Sequence, residues 1–150
     1  MGSTAWNDDI EAENEFRIRP FRIEDTAEVV RLWDDCGLTT PQNDPEKDIR
    51  AKLEVQPELF LIGILGRKIM ATLMAGYEGH RGWLNYLAVA PDHRRRGYAR
   101  RIIDRAEMLL RAMGCPKINL QVRSRNAGVI PFYERLGYTE DAVVSLGKRL

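Results

Sequence analysis

Little charge of either sign is left over in this chain, since 23 lysines and arginines stand against 22 aspartates and glutamates for a formal net charge of +1. That balance supplies no global field to recruit nucleic acid or an anionic membrane surface, so neither is expected as a partner and only local clustering of charge is informative. Cysteine is scarce too. Cys36 and Cys115 are far apart, without C-x-x-C spacing or a histidine cluster, which points to neither a disulfide framework nor a zinc site and makes a cytoplasmic location the default. No apolar run approaches the roughly 20 residues that cross a membrane. The opening MGSTAWNDDIEAENE has no basic or apolar region of a signal peptide, and Trp6 stands where a myristoylation motif requires Ser or Thr. Residues 1–15 read as a flexible extension, and residues 16–150 as one α/β domain without repeats or linkers.

What is present alternates between the two periods of regular structure. FRIRPF (Phe16 to Phe21) reads as a strand, followed by a helix from about Glu24 to Cys36 with Ile23, Ala27, Val30 and Trp33 on one face and Gly37 ending it. Pro45 suits the first position of a second helix, to about Val55. Leu59 to Leu65 and Ile69 to Tyr77 flank the turn Gly66-Arg67-Lys68 as an antiparallel hairpin, and a third strand runs from Trp83 to Val89. Ala99, Ile102, Ile103, Ala106, Leu109, Leu110 and Met113 then fit a long amphipathic helix capped by Gly114. A strand over Lys117 to Val122 makes a parallel crossover. Asn126 to Leu136 reads as a helix ended by Gly137, with Asn126 as its cap, and Val143 to Leu146 as a last strand.

Between the third strand and the long helix lies VAPDHRRRGYARR. A helix start carries positive partial charge, so acidic side chains belong there and arginines repel. An anion resolves the conflict. Gly97 permits close approach of the backbone, Ala99 leaves room beside the first turn, and the N–H groups of Arg96, Gly97, Tyr98, Ala99 and Arg100 converge on phosphate oxygens, with Arg94 or Arg95 adding charge from the side. Arg100, Arg101 and Arg105 also suit a solvated helix face. Neither a P-loop nor a G-x-G-x-x-G fingerprint is present.

The Arg94-x-x-Gly97-x-Ala99 stretch after LNYLAVAP resembles the acetyl-CoA signature of the GCN5-related N-acetyltransferases (GNAT), and NAGVIPFYERLGY (Asn126 to Tyr138) resembles their second signature. LQVRSRNAGVIPFYERLGY looks like the RimI type, and PQNDPEKDI, GYEGHRG and SLGKRL look closer to YpeA-like acetyltransferases. The resemblance spans Phe16 to Leu150. It implies a mixed, mostly antiparallel sheet with flanking helices and a splayed parallel strand pair, and transfer of an acetyl group from acetyl-CoA to an amine by direct attack in a ternary complex. It further implies that a bulged third strand offers the main-chain groups of Leu87, Ala88 and Val89 to the pantetheine arm, and that the Leu87 or Ala88 N–H acts as an oxyanion donor. Tyr133 matches the family's proton donor to the departing thiolate, Asn126 gains a contact with CoA, and Phe132 becomes core or a wall beside it.

The amine base departs from the family pattern. Trp83 and Gln121 occupy the positions where relatives place a glutamate, which leaves Glu78 and His80 of the YEGHRG turn, or a chain of waters, as substitutes. Two acceptor classes fit, a small amine and a protein N-terminus as in RimI-like enzymes. A non-catalytic CoA sensor is the reading from another class, and a monomer or a homodimer is expected.

Overall fold

The computed structural model describes residues 15–150, so all of the expected extension except Glu15 lies outside the described residues. Five strands form one sheet: β1 (Phe16–Pro20), β2 (Phe60–Leu65), β3 (Lys68–Tyr77), β4 (Gly82–Val89) and β5 (Ile118–Leu120), in that spatial order. The first four are antiparallel neighbours, and β5 joins β4 in parallel. Helices α1 (Thr26–Asp35) and α2 (Pro45–Leu53) fill the β1–β2 connection, and α3 (Tyr98–Ala112) makes the crossover to β5. The α/β class and the mixed, mostly antiparallel sheet are therefore as expected.

Burial explains the arrangement. FLIGIL is apolar throughout because β2 lies inside the sheet and is covered on both faces, where alternation with polar residues has no purpose. On the α3 face, Ile102, Ile103, Ala106 and Leu110 are fully buried, each large side chain contributing about 1.5–3 kcal/mol of transfer free energy. On the other face Trp33 of α1 stacks over Phe60, and Phe60 over Phe21. The buried stripe of α1 is Val29, Leu32 and Trp33, whereas Ile23 is exposed. Residues Ile23–Asp25 form a 3-10 turn, and its tighter winding shifts the phase that an unbroken helix from Glu24 would have. Pro45 opens α2 as expected, with the Asp44 carboxylate accepting the Lys47 N–H at 3.1 Å.

One glycine on β2 fixes how β1 and α3 meet. A Cβ at Gly63 would fall 2.3 Å from Cζ and 2.6 Å from Cε2 of Phe16. That ring cannot swing aside, since it stacks on Tyr98 at 4.4 Å and lies under the Arg101 guanidinium at 4.8 Å. Gly63→Ala is expected to cost about 1–3 kcal/mol by overpacking, read as a lower denaturant midpoint at unchanged slope. An unchanged midpoint contradicts this account of Phe16.

Gln121 to Leu150 form a second compact unit. Ser124–Val129 make 3-10 turns, with Asn126 outside helical geometry (φ −112°, ψ 21°), and α4 covers only Ile130–Arg135. The expected helix from Asn126 is thus shortened, and Asn126 does not cap it: the cap position is Val129, without a side-chain bond. Pro131, which favours a first helical turn, places the start there. Val143 to Leu146 join no ladder, and Val143, Val144 and Leu146 are exposed; strand propensity makes no strand without a paired edge. Among the described residues no helix is long and apolar enough to cross a membrane.

Candidate active site

Strand β4 is paired differently at its two ends. Its ladder to β5 covers only Gly82 to Leu84, while its ladder to β3 continues to Val89, so Asn85 to Val89 are outside the parallel pairing. This is the splay expected of the parallel pair. Within that stretch the register slips: Met74 faces Asn85 and Thr72 faces Ala88, so Leu73 opposes both Tyr86 and Leu87. The extra residue is a β-bulge, and Tyr86 takes φ +51°, a left-handed conformation that costs an L-residue about 1–2 kcal/mol.

Three residues from elsewhere in the chain hold that conformation. The fully buried Thr72 hydroxyl accepts the Trp33 indole N–H at 2.8 Å and donates to the Tyr86 carbonyl at 2.9 Å. The Trp33 ring stacks on the Tyr86 ring at 3.9 Å. The Tyr86 phenol donates to Asp48 of α2 at 2.5 Å. Each hydrogen bond contributes about 1 kcal/mol net, enough together to offset the strain. In the sequence Trp33 reads as a core residue, whereas Asp48 and Tyr86 carry no mark and Thr72 only that of a lone threonine inside KIMATLMAGY.

The loop after β4 turns sharply into α3. Pro91–His93 form a 3-10 turn, Arg95 (φ +64°) and Gly97 (φ +80°) reverse the chain, and α3 starts at Tyr98. No side chain caps this helix and no acidic residue sits in its first turn. A Cβ on Gly97 would meet no atom within 4 Å, so the space over the helix start is open. Arg94, Arg95, Arg96 and Arg100 are exposed, with Arg100 4.0 Å from Asp104. Arg101 is not merely part of a solvated face: it donates to the Phe16 carbonyl at 3.0 Å. Arg94 Nε donates to the Val89 carbonyl at 3.3 Å, and the Cys36 thiol reaches the same oxygen at 3.4 Å. Burial pushes the Cys36 thiol up from its ordinary range. The Val89 oxygen thus already accepts two side-chain bonds.

A groove of about 230 Å³ lies on the α2 side of the sheet, bordered by Lys52, Met74, Tyr77, Glu78, Trp83 and Asn85. Gln56 fixes its end, accepting the Tyr77 N–H at 2.8 Å and donating to the Tyr77 carbonyl at 2.7 Å. The Glu78 carboxylate accepts the backbone N–H groups of Arg81 and His80; the Arg81 bond, foremost, holds its carboxyl below the usual range. That makes Glu78 a weaker base than an ordinary glutamate. His80 is exposed in the same turn and does not border the groove.

In the unit from Gln121 to Leu150, the Tyr133 ring meets Phe132 edge-on at 5.1 Å and Tyr138 at 6.0 Å. Burial raises its phenol above the ordinary tyrosine value. The Tyr133 carbonyl accepts from Leu136 and Tyr138, and Gly137 (φ +93°) closes the helix as expected. The Gln121 amide donates to the Ser145 hydroxyl, and Asn126 is exposed.

The sequence and the fold match known proteins. The model of the acetyltransferase (GNAT) family covers residues 26–138. An acetyltransferase of Sodalis glossinidius is 51% identical over 134 residues, which span 89% of this chain and 94% of that one. Among solved structures, Ard1 from Thermoplasma volcanium is similar in fold at TM-score 0.76 and 23% identity, covering 85% of this chain and 84% of its own. AAC(6')-Iy, in complex with the bisubstrate analog CoA-S-monomethyl-acetylneamine, is similar at TM-score 0.75 and 17% identity, covering 91% of this chain and 100% of its own. The chain belongs to the GNAT family of acetyltransferases and is an acetyl-CoA-dependent N-acetyltransferase.

Proposed function

We propose that this enzyme transfers the acetyl group to a primary amine by direct attack in a ternary complex, with the β4 bulge beside the α3 start as the observation that carries the reading. The residues present suit acetyl-CoA, because the space over Gly97 admits a phosphate to within contact of backbone N–H groups that no side chain satisfies. Arg96, Gly97, Tyr98, Ala99 and Arg100 hold the diphosphate through their N–H groups, and Arg95 adds charge. Arg94 joins them only by leaving the Val89 carbonyl. When bound, acetyl-CoA supplies an acyl group activated as a thioester.

The remaining work falls to groups of the chain. Leu87 or Ala88 N–H, aimed by the bulge, stabilises charge on the acyl oxygen. Tyr133, kept protonated by burial, is the proton donor to the leaving thiolate. Glu78 borders the groove and, directly or through water, takes the amine proton; its lowered pKa makes it a relay to solvent rather than a strong base. Asn126 and Phe132 take part in cofactor contact, as the resemblance implies.

The test is calorimetry with CoA beside a mass-spectrometric screen of small amines and peptide N-termini. The wild type binds CoA, and Gly97→Ala, forced to hold a Cβ at φ +80°, weakens binding by about tenfold, the equivalent of ~1.4 kcal/mol. Absence of CoA binding by the wild type overturns the reading. A second reading, a CoA sensor without transfer, is favoured by Gln121, whose amide is engaged with Ser145 and accepts no proton. Binding without transfer to any acceptor supports the sensor.

A further inference from the structure

We propose that Lys52 anchors a carboxylate of the acceptor, so that the acetylated molecule is a compact apolar amino acid; the inference rests on the acetyl-transfer reading and names its substrate class. Lys52 sits in the last turn of α2, where a cation complements the helix carbonyls. Its side chain nevertheless turns partly out of solvent and over β3. The ammonium is 3.7 Å from the point a Cβ on Gly76 would occupy, so a side chain at Gly76 would crowd the place where the charge rests.

Within the groove this charge is left without a bonded partner. Lys52 is half-buried and, among the described residues, its ammonium makes no hydrogen bond or ion pair. Two polar side chains of the lining are engaged elsewhere: both ends of the Gln56 amide with the Tyr77 backbone, and the Glu78 carboxylate with the N–H groups of His80 and Arg81. Desolvation pushes the Lys52 pKa down, against a weaker attraction from Glu58. A partly dehydrated ammonium without a partner is a costly arrangement that an anionic ligand relieves through a charge-assisted hydrogen bond.

Size and lining define the rest of the ligand. The groove's 230 Å³ is below the 300–1,000 Å³ typical of drug-sized sites, which suits a molecule of amino-acid dimensions. Val55, Met74, Tyr77 and Trp83 supply apolar walls for its side chain. Asn85 borders the groove and directly precedes Tyr86 in the bulge, so a ligand held at Lys52 extends along β4 toward the proposed oxyanion donors.

The experiment compares matched pairs, leucine with leucinamide, methionine with methioninamide and phenylalanine with phenylalaninamide, as acceptors for acetyl-CoA. The wild type is expected to favour the acid over the amide by tenfold or more in kcat/KM. Lys52→Gln is expected to bring that ratio close to one through a rise in KM for the acid, and Lys52→Arg to retain part of it. Both substrates are measured on the same variant, so a general loss of stability cancels from the ratio. Equal use of acid and amide, a preference for the amide, a ratio unmoved in Lys52→Gln, or no turnover of any pair by protein that binds CoA overturns the inference. That last outcome leaves acetyl transfer to another acceptor standing, whereas failure to bind CoA removes the reading beneath it.

Discussion

Tyr133→Phe is expected to lower kcat by about 10²-fold or more, the scale of a lost general acid, while CoA binds as tightly as to the parent. The substitution removes one oxygen and keeps the ring against Phe132 and Tyr138. Because the hydroxyl makes no hydrogen bond among the described residues, its removal leaves no partner unsatisfied and the melting temperature stays near the parent value. A rate loss with an intact fold separates proton donation from packing. The pH profile adds a second check: burial raises the Tyr133 pKa, so the phenol keeps its proton as pH climbs through the ordinary value of about 10. Parent activity should therefore persist to higher pH than a free phenol permits, and the variant should lack that limb. Equal single-turnover rates for parent and variant remove Tyr133 from the chemistry.

Legibility in the sequence followed how local each determinant is. The α3 pattern is local: Ile102, Ile103, Ala106 and Leu110 recur at helical spacing, and Gly114 (φ +84°) stands just past the end. The hairpin of β2 and β3 is local for the same reason, its turn marked by Gly66 (φ +63°). The bulge is not. It exists because Leu73 on β3 faces two residues of β4, a relation between strands that neither segment encodes alone. Its support joins positions 33, 48, 72 and 86, which no spacing rule links. Arg101 misled in the same way: on α3 alone it belongs to the polar face, and only the docked β1 supplies the Phe16 carbonyl it bonds. At the candidate site, the turn at Gly97 (φ +80°) and the uncapped start of α3 were legible from the glycine and the arginines around it. The weakening of Glu78 as a base was not, because it depends on where its own turn aims two N–H groups.

The other large effect falls on a residue that touches neither substrate. Thr72→Val keeps the volume and removes the hydroxyl, leaving the Trp33 N–H without an acceptor and the Tyr86 carbonyl without this donor inside a fully buried site. Each stranded group costs about 1–3 kcal/mol. With one restraint gone, the strained Tyr86 relaxes and the proposed oxyanion donors, the Leu87 and Ala88 N–H groups, lose their aim. Because such donors are worth about 10²–10³ in kcat when removed outright, a misaligned one is expected to cost about tenfold or more, with KM for acetyl-CoA moving far less since the Gly97 loop is untouched. Thr72→Ser restores the hydroxyl and is expected to recover most of kcat despite losing a methyl group. That rescue distinguishes positioning from stability, because serine is the smaller residue and leaves the larger void. Trp33 fluorescence offers a direct readout, as the indole N–H environment changes in the valine variant and returns in the serine one. If valine leaves kcat at the parent level, the hydroxyl does not set the bulge, and the stack of Trp33 on Tyr86 with the Asp48 bond holds it alone.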